Sequence, residues 1–213
     1  MILGGLDLAT KSGLAVCRNG AITASTFRAS AKRPFGLKPS EVDFGHEGRV
    51  AREFRDHLRA WFITEGIEAV AIEKPLAPNI SVNKPIIDNQ ASFGGQAVKY
   101  LKTGGTNFGT IYRIYVLSGH AVELCERLGI ELHVVAQQTW RSAFLGVTRA
   151  PRGTANGTAW LKNKAKETCE REGIAIANAD EADAVGIVHW LKAYLNPRIA
   201  SVRDDLFKTK AKS

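Results

Sequence analysis

Residues 1–28 read as three strands joined by two tight turns. Met1–Leu8 is an apolar run broken at one place, by Asp7, and Thr10-Lys11-Ser12-Gly13 turns it into a second run, Leu14–Cys17. Asn19-Gly20, a strong hairpin signal, then leads into a third strand over Ala21–Arg28. The first run is apolar at both parities, which suits a strand in the middle of a sheet covered on both faces. An ionised carboxylate in such a strand is costly to desolvate unless it is paired or holds a metal. Asp7 is therefore a site candidate on physical grounds. The alternative is a strand-end carboxylate that accepts backbone hydrogen bonds in the turn.

After a loop over residues 32–43 carrying Lys32, Arg33, Lys38 and three breakers, Pro34, Gly36 and Pro39, the pattern becomes helical. Val50, Phe54, Leu58 and Trp61 share one face and predict a helix over His46–Thr64, stopped by Gly66. Arg49, Arg52, Arg55 and Arg59 fall elsewhere and read as a solvated face. Ile67–Pro75 is a buried strand that ends, like the first, in a carboxylate, Glu73. A strand, helix, strand passage of this kind crosses over right-handed and sets the new strand parallel to the first. Asp7 and Glu73 would then stand at the carboxyl ends of neighbouring strands, where open α/β sheets carry their sites.

Residues 76–110 are rich in Gly and Pro, and so long a connection is functional or contains a short helix of its own. A helix over Ile111–Leu128, a strand over Glu131–Val135 and a short helix over Gln138–Leu145 follow. Beyond a Gly/Arg-rich loop, Gly146–Gly157, lies a basic helix, Trp160–Glu172, with Lys162, Lys164 and Lys166. The last helix spans Asn178–Tyr194. Asn178 suits its N-cap and Glu181 the reciprocal capping position. Asp180 is favoured there by the helix dipole alone. Asp183, three residues on, shares its face, and Ala182 and Ala184 permit close approach to a sheet.

The chain of 213 residues suits one domain over residues 1–196 followed by a basic tail, 197–213. Its net charge of +8 favours polyanionic partners, nucleic acid first. Cys17, Cys125 and Cys169 form no C-x-x-C pair, and the five histidines have no metal-ligand spacing. No apolar stretch is long enough to span a membrane, so a cytoplasmic protein is expected.

This order of elements, with carboxylates on the first strand, the fourth strand and the last helix, resembles the ribonuclease-H-like nuclease superfamily. Within it the chain looks like a RuvC-type Holliday junction resolvase. The likeness is carried by Gly5, Asp7, Ala9 and Gly13, by Ile72-Glu73, and by Asn178, Asp180, Asp183 and Ala184. Trp140-Arg141 to Gly146, with the helix of Lys162 and Lys164 after it, resembles that family's basic region. The long 76–110 and 146–157 segments depart from bacterial resolvases and suit a phage or mobile-element relative equally well.

The resemblance implies an α/β fold with a mixed five-stranded sheet, three antiparallel strands and then parallel ones, flanked by helices on both faces. It implies two Mg²⁺ ions, replaceable by Mn²⁺, held by Asp7, Glu73, Asp180 and Asp183. Asp7 would bridge them, Glu73 and Asp180 would serve the ion ordering the water, and Asp183 the other. All-oxygen ligands suit such hard cations. The substrate would be branched DNA, a four-way junction above all, cut by a homodimer with Tyr112, Tyr115 and Leu124 of the Ile111–Leu128 helix in its interface. DNA contacts would come from Lys84, Arg141, Arg149, Arg152, Lys162, Lys164 and Lys166, with Phe93 and Phe108 able to stack on unpaired bases. Another nuclease or strand transferase of the superfamily, acting on flaps, other branched DNA or RNA–DNA hybrids, is an alternative. Actin-like ATPases begin with a similar G-x-D strand but duplicate their core, and no second copy is visible.

Overall fold

A computed structural model of the chain describes residues 1–36, 41–75, 83–88, 97–102 and 108–196, with the backbone alone at 83–88 and 97–102. Strands β1 (Leu3–Asp7), β2 (Lys11–Arg18) and β3 (Ala21–Arg28) form the antiparallel meander. At its second turn Asn19 and Gly20 both take positive φ, 52° and 89°, the twist that a two-residue hairpin requires. Helix α1 (Phe44–Glu65) is capped by Asp43 and ends at Gly66 in the left-handed region. It leads to β4 (Ala69–Glu73), which lies parallel to β1, and β7 (Glu131–Val135) lies parallel to β4. The five strands are ordered β3-β2-β1-β4-β7.

The mixed sheet is covered on both faces. On one side Leu6, Leu14, Val70 and Ile72 pack with Phe54 and Leu58 of α1 and with Leu117 and Leu124 of α2 (Phe108–Leu128). On the other, Leu3, Ala15, Ala69 and Ala71 pack against α3 (Gln137–Leu145), α4 (Gly157–Arg171) and α5 (Ala179–Leu195). Leu124 is 2% exposed in that first core, which removes it from any subunit interface. The connection expected to be functional or to contain a short helix forms, in its described residues before α2, an antiparallel pair, β5 (Asn83–Asp88) with β6 (Ala97–Lys102). Asn83-Lys84-Pro85-Ile86-Ile87-Asp88 does not alternate apolar with polar, so the pattern that betrays a half-buried strand is missing.

Helix α5 runs over β1 and β2 at a separation set by glycines. A Cβ at Gly5 would lie 2.5 Å from the Ala184 carbonyl oxygen and 2.7 Å from the Val188 nitrogen. Both distances are shorter than van der Waals contact permits, so only a residue without a side chain lets this helix sit where it does.

Candidate active site at the carboxyl ends of the central strands

Asp7 closes β1 and Glu73 closes β4, one step beyond the parallel pair Leu6 and Ile72. Across the antiparallel pair Asp7 faces Gly13. The space over Gly13 is taken by the Asp180 backbone at the start of α5, which brings Asp180 beside Asp7, with Asp183 one turn further along. The sheet edge and the helix thus assemble the four carboxylates expected from the sequence.

Each carboxylate has its own surroundings. Glu73 accepts from Gln137 Nε2 at 2.9 Å on one oxygen and from Trp140 Nε1 at 2.7 Å on the other. Trp140 is fully buried, and its ring lies on Gly186 of α5, where a Cβ would come within 2.7 Å of Cε3 and Cζ3. Asp180 is paired with Lys162 of α4 at 3.0 Å and with Lys11 of β2 at 3.8 Å. Asp7 and Asp183 have no hydrogen-bond or ion-pair partner among the described residues. Arg141 lies 5.2 Å from the centre of the Trp140 ring, with its buried Nε unpartnered among the described residues.

The electrostatics follow from this crowding. Burial, and then the charges of Asp183, Glu73 and Asp180, hold the Asp7 carboxyl well above the usual range, with Lys162 pulling the other way. Burial pushes Asp183 up to about 6 despite Lys162 and Arg141. Glu73 is also raised by burial, while the Trp140 hydrogen bond, the Arg141 charge and the Gln137 hydrogen bond act against that. Partial burial disfavours the Lys162 ammonium, but the hydrogen bond and charge of Asp180, with Asp183 and Asp7 behind it, outweigh this and raise its pKa.

Of the basic residues singled out from the sequence, Lys162 is hydrogen-bonded to Asp180, Arg141 is near enough for its charge to act on Glu73 and Asp183, and Lys166 lies a turn beyond Lys162 on the same helix. Lys164 is two residues from Lys162 and so emerges from another side of α4. Arg149 and Arg152 are exposed in the connection before α4. Phe108 is the first residue of α2, 47% exposed, with its ring 6.1 Å from that of Tyr112. The Lys84 side chain and Phe93 lie outside the described residues. The partners of the carboxylates, Lys11, Gln137 and Trp140, were missed. Lys11 was legible as the charged residue in the turn after Asp7, and Gln137 as a polar residue two positions beyond a strand end.

No protein-family model and no curated protein sequence matches the chain. Among solved structures it is similar to T. thermophilus RuvC in complex with Holliday junction substrate, at 12% identity and a TM-score of 0.54, over 92% of this chain and 94% of that one. The chain has a RuvC-like fold. A second Thermus thermophilus RuvC structure aligns at 17% identity and a TM-score of 0.49, over 92% and 95% of the two chains. The Aquifex aeolicus PPX-GPPA enzyme aligns over 68% of this chain and 39% of its own, at 9% identity and a TM-score of 0.30.

Proposed function

We propose that this chain is a divalent-metal-dependent endonuclease that hydrolyses phosphodiester bonds in branched DNA, four-way junctions above all. The observation that carries the reading is the convergence of Asp7, Glu73, Asp180 and Asp183 at the edge of a RuvC-like sheet, with Lys162 beside them. The RuvC structure of this fold was solved on a Holliday junction, and the net charge of +8 suits a polyanion.

The residues fit Mg²⁺ or Mn²⁺ in donor chemistry and in electrostatic need. All four side chains offer oxygen, and the unpartnered Asp7 and Asp183 are destabilised as anions in a way that a divalent cation relieves. Among the described residues no three such groups already stand as a finished ligand shell, so binding must draw them together. Asp7, Glu73, Asp180 and Asp183 would hold the metal, Asp7 centrally. Such ions, once held there, would supply charge neutralisation on the phosphoryl oxygens and a lowered pKa for the attacking water. Trp140 and Gln137 fix the Glu73 carboxylate in one orientation. Lys162 can exchange its bond to Asp180 for a phosphate oxygen, with Lys166, Lys164, Arg141, Arg149 and Arg152 as further phosphate contacts and Lys84 and Phe108 as contacts at the branch. Two copies of the chain would act on one junction, since symmetric cleavage needs two sites.

The test is cleavage of four-way junction, flap, duplex and RNA–DNA hybrid by purified protein, with Mg²⁺ and with chelator. Metal-dependent cutting that favours the junction is the expected result. Undiminished cutting in chelator would overturn the metal reading, and preference for hybrid would move the assignment to the alternative substrate class.

A further inference from the structure

The carboxylate edge has a second cationic flank, remote from α4. A groove of about 640 Å³ opens between the end of β3, the residues after it, and the first turns of α1 and α2. Its lining includes Arg28, Lys32, Arg33 and Arg113, against two carboxylates, Glu41 and Glu47. Arg113 is held in place: its guanidinium forms a two-pronged pair with the buried Glu47, and Nη1 donates to Thr10 Oγ1 at 3.0 Å. Buried His46 also lines the groove, and its Nδ1 has no hydrogen-bond partner among the described residues.

Position gives the groove its meaning. Thr10 belongs to the turn that follows Asp7, so the groove begins where the carboxylate edge ends. Helices α1 and α2 cover one face of the sheet and α4 the other, so Lys162 and Lys166 lie to one side of Asp7 and the groove to the other. The geometry points to this groove as a second phosphate-binding track, which takes the backbone of the DNA strand on the side of the cleaved bond opposite to α4. The inference rests on the nuclease reading above and deepens it, because it assigns a polarity to the substrate path. Arg28 and Lys32 are exposed and supply the mobile charge of the track, whereas the Arg113 charge is already met by Glu47 and its role is to fix the floor of the groove beside Thr10.

The experiment uses the full chain with Asp7→Asn, which silences cleavage, and compares it with the same chain carrying Arg28→Ala and Lys32→Ala as well. Affinity for a long-armed four-way junction is measured across a salt series, with hydroxyl-radical footprinting of the bound strands. Both added substitutions are at exposed positions and leave the fold intact, as circular dichroism would verify. Loss of two phosphate contacts should weaken binding by about tenfold at physiological salt and flatten the slope of log K against log salt by about 2. Footprint protection should be lost on one side of the cleavage position, while Lys162→Ala with Lys166→Ala should lose it on the other. An unchanged salt slope, or loss of protection on the lysine side, would overturn the groove assignment while cleavage by the unmodified chain still upheld the nuclease reading. Failure of the unmodified chain to bind any DNA would overturn both.

Discussion

Gly13 lies directly beneath Asp180, so that a Cβ at position 13 would run into the Asp180 carbonyl oxygen. Gly13 is also the cross-strand partner of Asp7. A single missing side chain therefore brings two of the four carboxylates together. Gly13→Ala should push the start of α5 off the sheet and cost about 1–3 kcal/mol, the range for overpacking a filled site. Cleavage should fall by more than that loss explains, measured at a temperature where the variant is still folded. Gly48→Ala is the control, since nothing lies within 4 Å of its Cβ position and alanine favours a helix interior by up to ~1 kcal/mol. Equal activity losses in both variants would refute the close-approach account.

Catalysis and binding should separate by charge. Lysine and arginine contacts to phosphate supply most of the affinity for DNA, whereas unmetallated carboxylates repel it. Asp7→Asn keeps the shape of the site and removes its central charge. Cleavage should drop by orders of magnitude, with junction binding kept, or strengthened when metal is absent. Lys162→Ala should instead weaken binding and reduce the salt slope by about 1. Wild-type cleavage rates in Asp7→Asn would return Asp7 to the role of a strand-end hydrogen-bond acceptor.

The fold was legible because local signals agreed with the global one: Asn19-Gly20 and Gly66 sit where the backbone needs positive φ, and the carboxylates end apolar runs. At the last helix, Asn178 caps with its Oδ1 to the Asp180 and Glu181 nitrogens, as its residue type suggests. Glu181, however, reaches past the N-cap to the Ala177 nitrogen at 2.6 Å and takes a 2.5 Å bond from Thr26. That long-range bond is invisible in a one-dimensional pattern. The same holds for Trp140 and Glu73, which are far apart in sequence and meet only because β4 and β7 are neighbours. The lysines of α4 differed for a different reason: their spacing shows which share a face but not which face meets the sheet.

The Trp140 bond to Glu73 is a part-buried, charge-assisted contact in which the indole N–H is the donor to one carboxylate oxygen. Trp140→Phe keeps most of the ring volume on Gly186 and removes the donor. Stability should fall by ~1–3 kcal/mol. The Glu73 pKa, already raised by burial, should rise further, so the acid limb of the cleavage profile should move to higher pH. A stability loss with an unmoved acid limb would make Trp140 a packing residue alone.

On α2, Phe108, Tyr115 and Val122 recur at seven-residue spacing and are 47%, 44% and 45% exposed, an apolar stripe on one face of the helix. With Leu124 in the core, we propose the Tyr115 and Val122 part of this stripe as the surface for a second copy, leaving Phe108 to the branch contact proposed above. Tyr115→Glu with Val122→Glu should convert a dimer into a folded monomer in sedimentation and reduce paired cleavage of opposite strands to single nicks. A wild-type chain that sediments as a monomer, free and on junction DNA, would refute the dimer.

The last expectation concerns the site without metal. Asp183 is 6% exposed and its carboxyl is pushed from 3.8 to about 6. Its folded-state pKa lies above its unfolded value, so the folded chain holds this proton more tightly than the unfolded chain does. Well below the unfolded pKa both states are protonated and the group contributes no difference. As pH rises from about 4 to about 6 the unfolded chain ionises first, and stability falls by an amount on the order of 3 kcal/mol. Asp7 is raised as well and adds to the loss with the same sign. In chelator, the urea midpoint should therefore drop between mildly acidic and neutral pH, and Mg²⁺ at neutral pH should restore it by binding the ionised carboxylates. Asp183→Asn removes the penalty, so in chelator it should unfold later than the wild type at neutral pH and with it near pH 4. A flat metal-free profile, together with an Asp183→Asn variant no more stable than wild type at neutral pH, would show that the carboxylates are already relieved by contacts within the chain, and the need for a cation would lose its physical basis.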